Sequence, residues 1–162
     1  MNSNNAHKSR VYENIRKLSE ASHLIDLSLA WVVESDRFGY TYNFSWLGRP
    51  IIQYPQDIVA MQELIWEVRP DLIIETGIAH GGSLIFSASM LTLLDVCEVI
   101  ESGSIFDPAQ TRRKVIGIDI EIRPHNRAAI EQHPMSHRIQ MIEGSSIDPE
   151  IVAKVKEMAK GY

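Results

Sequence analysis

The chain is 162 residues long, 44% hydrophobic and 23% charged, and its 16 Lys and Arg against 21 Asp and Glu leave a net charge of −5. That size and balance describe an ordinary globular domain with a core of its own. The acidic surplus argues against a nucleic-acid partner, which needs clustered basic side chains, and the single cysteine, Cys97, excludes an internal disulfide framework or a Cys-rich zinc site.

The opening MNSNNAHKSR is polar with no apolar run behind it, so no signal peptide is expected and the protein is read as cytoplasmic. These ten residues are expected to fray. Val11, Ile15 and Leu18 then recur at helical spacing, and SHLIDLSLAWVVES reads as a second helix. The next stretch, DRFGYTYNFSWLGRPIIQYPQ, is aromatic and broken by Gly39, Gly48, Pro50 and Pro55, the composition of a loop or short lid. Its Tyr42, Phe44 and Trp46 are read as a cap on the core. Residues 1–56 thus form N-terminal helices plus an aromatic-rich loop, and residues 57–162 form the first half of a cofactor-binding domain. Asp57 is read as the N-cap of a helix that turns Val59, Leu64, Ile65 and Val68 inward and stops at Pro70.

From Asp71 the period changes. DLIIE is a short buried strand; Gly82 to about Ser102 is a long helix with Phe86, Met90, Leu93, Cys97 and Ile100 on one side, Cys97 acting as a small buried hydrophobe. The helix and the turn before it carry three glycines and several hydroxyls, which argues against a membrane span. After the loop SGSIFDPAQTRR come the strand KVIGIDI, the short helix PHNRAAIEQH and the strand RIQMIEG. Asp148-Pro149 then supplies an N-cap and a first-position proline for a last helix with Ile151, Val155 and Met158 inward. Alternating strands and helices with near-continuous apolar strands specify an α/β fold: a Rossmann-like half of three parallel strands with flanking helices, preceded by the N-terminal helical extension. Right-handed crossovers place the second strand beside the first and the third beyond it.

In such sheets ligands bind beyond the carboxyl ends of the strands, first of all at the first strand–helix turn. Here that turn is ETGIAHGGS: Glu75, Gly77, Ala79, Gly81, Gly82 and Ser83. Small residues admit a ligand to the backbone, and the helix start offers unpaired N–H groups. A dinucleotide turn wants G-x-G-x-x-G, met only in part by Gly77, Ala79 and Gly82. The acid-x-G-x-G-x-G turn of S-adenosylmethionine (SAM)-dependent methyltransferases is similar to Glu75, Gly77, Ala79 and Gly81, with alanine at one glycine position. Glu75 would repel a pyrophosphate but suits the ammonium and sulfonium of SAM, so SAM is the expected cofactor. Asp119, at the tip of the second strand, is expected to accept hydrogen bonds from ribose hydroxyls. Ser145 and Ser146, after the third strand and beside Glu143, are candidates for adenine contacts. His80, inside the glycine turn, is the candidate general base. His125, His133 and His137 share no helix face and are read as loop histidines. No metal ligands are assigned, and Arg123, Asn126 and Arg127 are read as surface polar residues.

The blocks WLGRPIIQYPQDIVAMQELI, RPDLIIETGIAHGGSLIFSASM, VIGIDIEIRPHNRAAIEQHPM and RIQMIEGSSID resemble the cephalosporin hydroxylase / rhamnosyl O-methyltransferase family from about Trp46 onward. The resemblance implies a SAM-methyltransferase-like Rossmann fold, O-methylation of a sugar, glycolipid or small-metabolite hydroxyl, and SAM contacts at Glu75, Gly77, Gly81, Ser83, Asp119, Ser145 and Ser146. It also implies further strands beyond AKGY, with an Asp and a His that in metal-dependent relatives help hold Mg²⁺. The chain is therefore expected to be a truncated form whose first strand is an open edge, prone to homo-oligomerisation. Two rival expectations are a non-catalytic cofactor-binding fragment and an NAD(P)-dependent oxidoreductase.

Overall fold

The computed structural model describes residues 3–162. It divides into two compact units, one up to Tyr40 and one from Thr41 onward.

The first unit holds helices α1 (Ser3–Glu20) and α2 (Ser22–Asp36). Helix α1 is formed from Ser3, where fraying is expected from the polar sequence; residues 1–2 lie outside the described part. The reason is compositional, since no Gly or Pro interrupts Ser3–Glu20 and polarity alone does not break a helix. Pairs at i,i+4, Glu13–Lys17 at 2.7 Å and Arg16–Glu20 at 2.8 Å, each add a few tenths of a kcal/mol, roughly 0.2–0.5. Trp31 meets Tyr40 edge-on at 5.0 Å.

The second unit opens with a hairpin, β1 (Phe44–Trp46) and β2 (Arg49–Ile51), where the sequence reading placed a loop. Trp46 pairs with Arg49, so the turn is Leu47-Gly48, with φ values of 45° and 83°. A two-residue turn with both φ positive matches strand twist. Leucine is an unusual first residue for it, which hid the hairpin. Its backbone is tied down instead: His133 donates from Nε2 to the Leu47 carbonyl at 3.0 Å, while its Nδ1 accepts from Met135 N at 3.1 Å. Trp46 donates to Ser89 Oγ at 2.9 Å and stands edge-on to Phe86 at 4.9 Å, so the aromatic segment does cap the core, with Tyr42 left exposed.

Helix α3 (Pro55–Val68) starts with Tyr54, not Asp57, as its N-cap. Pro55 takes the first helical position, where its missing N–H costs nothing, and Asp57 lies in the first turn, where a carboxylate suits the helix dipole. Only Ile65 of its apolar residues is fully buried; Val59, Leu64 and Val68, expected inward, are exposed. Apolar residues nearly encircle this helix, so periodicity could not single out one face.

Strands β3 (Leu72–Thr76), β4 (Lys114–Asp119) and β5 (Ile139–Glu143) form a parallel sheet in the order β3-β4-β5, as the crossover rule requires. Helices α4 (Gly82–Ser102), α5 (Pro124–Glu131) and α6 (Pro149–Ala159) connect and follow them. One sheet face packs Val115 against Leu84, Ala88, Leu91 and Ile130; the other packs Ile116, Ile118 and Ile142 against Ile151, Val155 and Met158 of α6. Asp148 caps α6 by accepting from Glu150 N at 2.8 Å. On α4, Leu84, Ile85, Phe86, Ala88, Met90, Leu91 and Leu94 are buried, so Phe86 and Met90 of the expected stripe do lie inward, whereas Leu93 and Ile100 are exposed and Cys97 is half-buried. The expected stripe holds over the first turns and fails from Leu93 onward, because beyond Leu94 the inward position goes to Asp95, whose side chain is 15% exposed. By length and composition α4 is sufficient to cross a membrane, but its first three turns are buried in the core of this unit. Strand β3, expected to be buried, has no fully buried residue because it is an edge of the sheet, and its Ile74 is 46% exposed.

Beneath the sheet, at the end away from the glycine turn, Asp95 gathers three partners. It accepts from Arg113 Nη1, from Arg138 Nη1 at 2.7 Å and from Thr111 Oγ1 at 2.8 Å. Arg113 also reaches Glu98 at 2.5 Å and the Pro70 carbonyl at 3.2 Å. The side chains of Arg113 and Arg138 are 4% and 0% exposed.

Candidate functional site

The chain between β3 and α4 turns sharply at the carboxyl edge of the sheet. Gly77, Ala79 and Gly81 have φ values of 87°, 46° and 82°. The glycines serve two different purposes. A Cβ on Gly77 would meet nothing within 4 Å, so this position leaves the backbone open to a ligand. A Cβ on Gly82 would fall inside the Pro50 peptide and 2.7 Å from Ile51 Cα; here glycine lets β2 lie directly on the start of α4. Ala79 adopts the left-handed region without being glycine, at a cost of roughly 1–2 kcal/mol.

That strained turn is held from three directions. Asp119 Oδ2 accepts from Ile78 N at 2.6 Å and Ala79 N at 3.3 Å. Asn126 donates from Nδ2 to the Ala79 carbonyl at 2.9 Å. Arg49 donates to the His80 carbonyl from Nη2 at 2.6 Å and Nε at 3.0 Å. Ile78 locks the turn from inside, only 1% exposed. Asp119 therefore anchors the turn, a role the sequence reading did not give it. A carboxylate has about four lone-pair sites, and with Glu121 N at 3.4 Å on Oδ1 it retains capacity for hydroxyls. Burial alone would raise the Asp119 pKa, but hydrogen bonds from the backbone at Ile78, Ala79, Glu121 and Ile120 outweigh it and hold the carboxyl below its usual range.

Two cavities flank the turn and share Thr76 and Gly77. One, of about 290 Å³, has apolar walls from Ile51, Ile58, Met61 and Phe86 and polar groups from Glu75, His80 and Ser83. The other, of about 360 Å³, is lined by Asp119, Gly144, Ser145 and Ser146. The fold thus divides the expected site residues into a Glu75–His80–Ser83 side and an Asp119–Ser145–Ser146 side, with Gly77 between them. Glu143 is committed elsewhere, paired with Arg127 at 3.1 Å.

Glu75 accepts a hydrogen bond from Ser83 Oγ. Desolvation in the apolar cavity raises its pKa, and the Ser83 bond only partly offsets this. The raised pKa favours the neutral acid in the fold, so stability present below the unfolded-state pKa is lost as pH rises through the folded-state value. Glu75→Gln is therefore expected to raise the urea midpoint of the ligand-free chain at pH 7 and to give a smaller gain at pH 4. A cationic ligand group would supply the counter-charge the cavity lacks. The same variant should weaken binding of such a ligand at least tenfold, in line with roughly 1.5–3 kcal/mol for a charged hydrogen bond. Calorimetry and urea titration of the two proteins read both effects; lower stability at pH 7 would contradict the desolvation argument.

The sequence reading missed Arg49 and Asn126. Asn126 is buried, 4% exposed, rather than a surface polar residue. The signal was weak: an amide near a helix start and an arginine in a supposed loop. Among the described residues, no group of three His, Cys, Asp or Glu side chains is placed to hold a metal ion.

A three-stranded parallel sheet with flanking helices and an open glycine turn after its first strand is a Rossmann-like arrangement. The rhamnosyl O-methyltransferase/CmcI family model matches residues 38–162, and the chain belongs to that family. Among solved structures, one described as cmcI-N160 SAH is 20% identical with a TM-score of 0.40; the match covers 63% of this chain and 43% of that one. The chain thus spans less than half the length of that structure. No curated protein sequence matches it.

Proposed function

We propose that this chain binds S-adenosylmethionine across the glycine turn and carries the cofactor half of an O-methyltransferase acting on a sugar or small-metabolite hydroxyl. The observation that carries the reading is the pairing of two cavities through Gly77. A desolvated carboxylate lies on one side, and a strand-tip carboxylate with two serines on the other. Glu75 takes the ammonium of the methionyl part, with Ser83 orienting its carboxylate. Asp119 takes ribose hydroxyls and Ser145 and Ser146 face the base. The open Gly77 lets the ligand pass between the two sides against the backbone.

When bound, the cofactor would supply a methyl group on a sulfonium, which an acceptor oxygen takes in line while the neutral thioether leaves with the C–S bonding pair. Around it the protein contributes mainly position. The apolar wall of Ile51, Ile58, Met61 and Phe86 excludes water and favours an acceptor with an apolar face. His80, on the same cavity, receives the proton of the acceptor hydroxyl. The family to which the chain belongs supports this reading, as does the acid at the tip of β3, which disfavours a pyrophosphate.

Titration calorimetry with S-adenosylhomocysteine and with NAD, on the same preparation, tests it. The demethylated cofactor is expected to bind and NAD to bind more weakly or not at all. Tighter binding of NAD, or no binding of the nucleoside thioether, would overturn the proposal.

A further inference from the structure

The imidazole of His80 and the carbonyl beside it are held by two side chains from distant parts of the chain. Asn126 Oδ1 lies 3.4 Å from His80 Nδ1 and 3.3 Å from Arg49 Nη2, and Asn126 Nδ2 donates to the Ala79 carbonyl at 2.9 Å. These contacts fix which way the amide faces. The Ala79 carbonyl requires the NH₂ end, and the Arg49 guanidinium, a donor only, requires the oxygen end. An amide oxygen accepts and never donates, so its imidazole partner must carry hydrogen on Nδ1.

We propose that Asn126 and Arg49 are positioning residues for the glycine turn. They lock its Ala79–His80 peptides and set His80 as the Nδ1–H tautomer, leaving Nε2 as the lone-pair nitrogen. The part played by His80 as proton acceptor rests on the function proposed above; the clamp itself does not. Its logic is physical. Ala79 is held at positive φ against the preference of a residue with a Cβ. Three hydrogen bonds, from Arg49 and Asn126 to two consecutive carbonyls, over-determine that conformation. Because Arg49 comes from the β1–β2 hairpin and Asn126 from the first turn of α5, the hairpin becomes part of the site rather than a lid over it. The base nitrogen and the ligand-facing backbone are then set by one network, and loosening one loosens the other.

The test is ¹⁵N NMR of the histidine rings, with His80 assigned by a His80→Gln control, combined with calorimetry of S-adenosylhomocysteine. In the unaltered chain His80 should show a protonated Nδ1 and an unprotonated Nε2. Asn126→Ala should shift the ring towards the Nε2–H form and weaken the ligand about tenfold, the equivalent of about 1.4 kcal/mol. Asn126→Asp keeps an oxygen opposite His80 and Arg49, and should retain the Nδ1–H form. Arg49→Lys loses the forked contact to the His80 carbonyl and should weaken the ligand without switching the tautomer. An Nε2–H tautomer in the unaltered chain would overturn the inference without any variant having to fold. So would Asn126→Ala leaving both tautomer and affinity unchanged. A chain that binds no nucleoside ligand would sink the proposed function, while the tautomer measurement would still decide the clamp.

Discussion

Replacing Asp95 with alanine is expected to cost about 3–5 kcal/mol, the range for removing one partner from a buried ion pair. Against a total of roughly 5–15 kcal/mol for a domain, that is a large share of the stability of the second unit. The cause is specific. Asp95 is 15% exposed and faces two guanidinium groups that are 4% and 0% exposed. Arg113 would keep Glu98 and the Pro70 carbonyl, but Arg138 would keep only Thr111 and a 3.5 Å contact to the Arg113 carbonyl. Its Nε and Nη2 already lack partners, so the buried charge would have no counter-ion. The pH dependence follows from the same contacts. Burial would raise the Asp95 pKa, but hydrogen bonds from Arg113, Thr111 and Arg138 outweigh it and lower the pKa. A lowered carboxylate pKa contributes stability that is full above the unfolded-state value and is lost as pH falls through the folded-state one. Urea titrations should show Asp95→Ala far less stable at pH 7, with the gap closing in acid. An equal gap at pH 7 and at pH 3 would show that packing, not charge, holds this region.

Gly82→Val is expected to cost ~3 kcal/mol, the upper end for overpacking, because the obstacle is backbone. A side chain there would strike the Pro50 peptide and Ile51 Cα, and no rotamer relieves contact with a main chain. The hairpin would have to lift off α4. Ile51, 2% exposed, and the Trp46–Ser89 bond would be disturbed with it. Gly77→Ala offers the contrast: open space surrounds the position, so it should fold with only the modest strain of its φ of 87°. Thermal denaturation separates the two. A Gly82→Val protein as stable as Gly77→Ala would mean that β2 does not pack on the helix start as described.

The parallel sheet, the Gly82–Ser102 helix and the Asp148-Pro149 start of α6 were all legible because local chemistry decides them. Apolar runs bounded by Gly and Pro mark strands, and an acceptor before a first-position proline marks a helix start. What escaped notice depends on partners far along the chain. Leu47-Gly48 forms a hairpin turn because His133, 86 residues away, holds its carbonyl. Asn126 matters because α5 brings it under Ala79, 47 residues earlier. The inner face of α4 turns polar at Asp95 because Arg113 and Arg138 lie beneath it, and no helical period carries that information. The glycine turn was recognised as a site, but its glycines were credited wholly to ligand access; Gly77 fits that role, whereas Gly82 is required by the hairpin.

Whether one ligand crosses Gly77 between Glu75 and Asp119 is tested most directly by a crystal structure of the chain grown with S-adenosylhomocysteine. Density is expected along the turn, with the ligand ammonium at Glu75, ribose hydroxyls at Asp119 and the base beside Ser145 and Ser146. Density confined to another surface, or the same turn with the ligand reversed so that the base lies against Glu75, would contradict it.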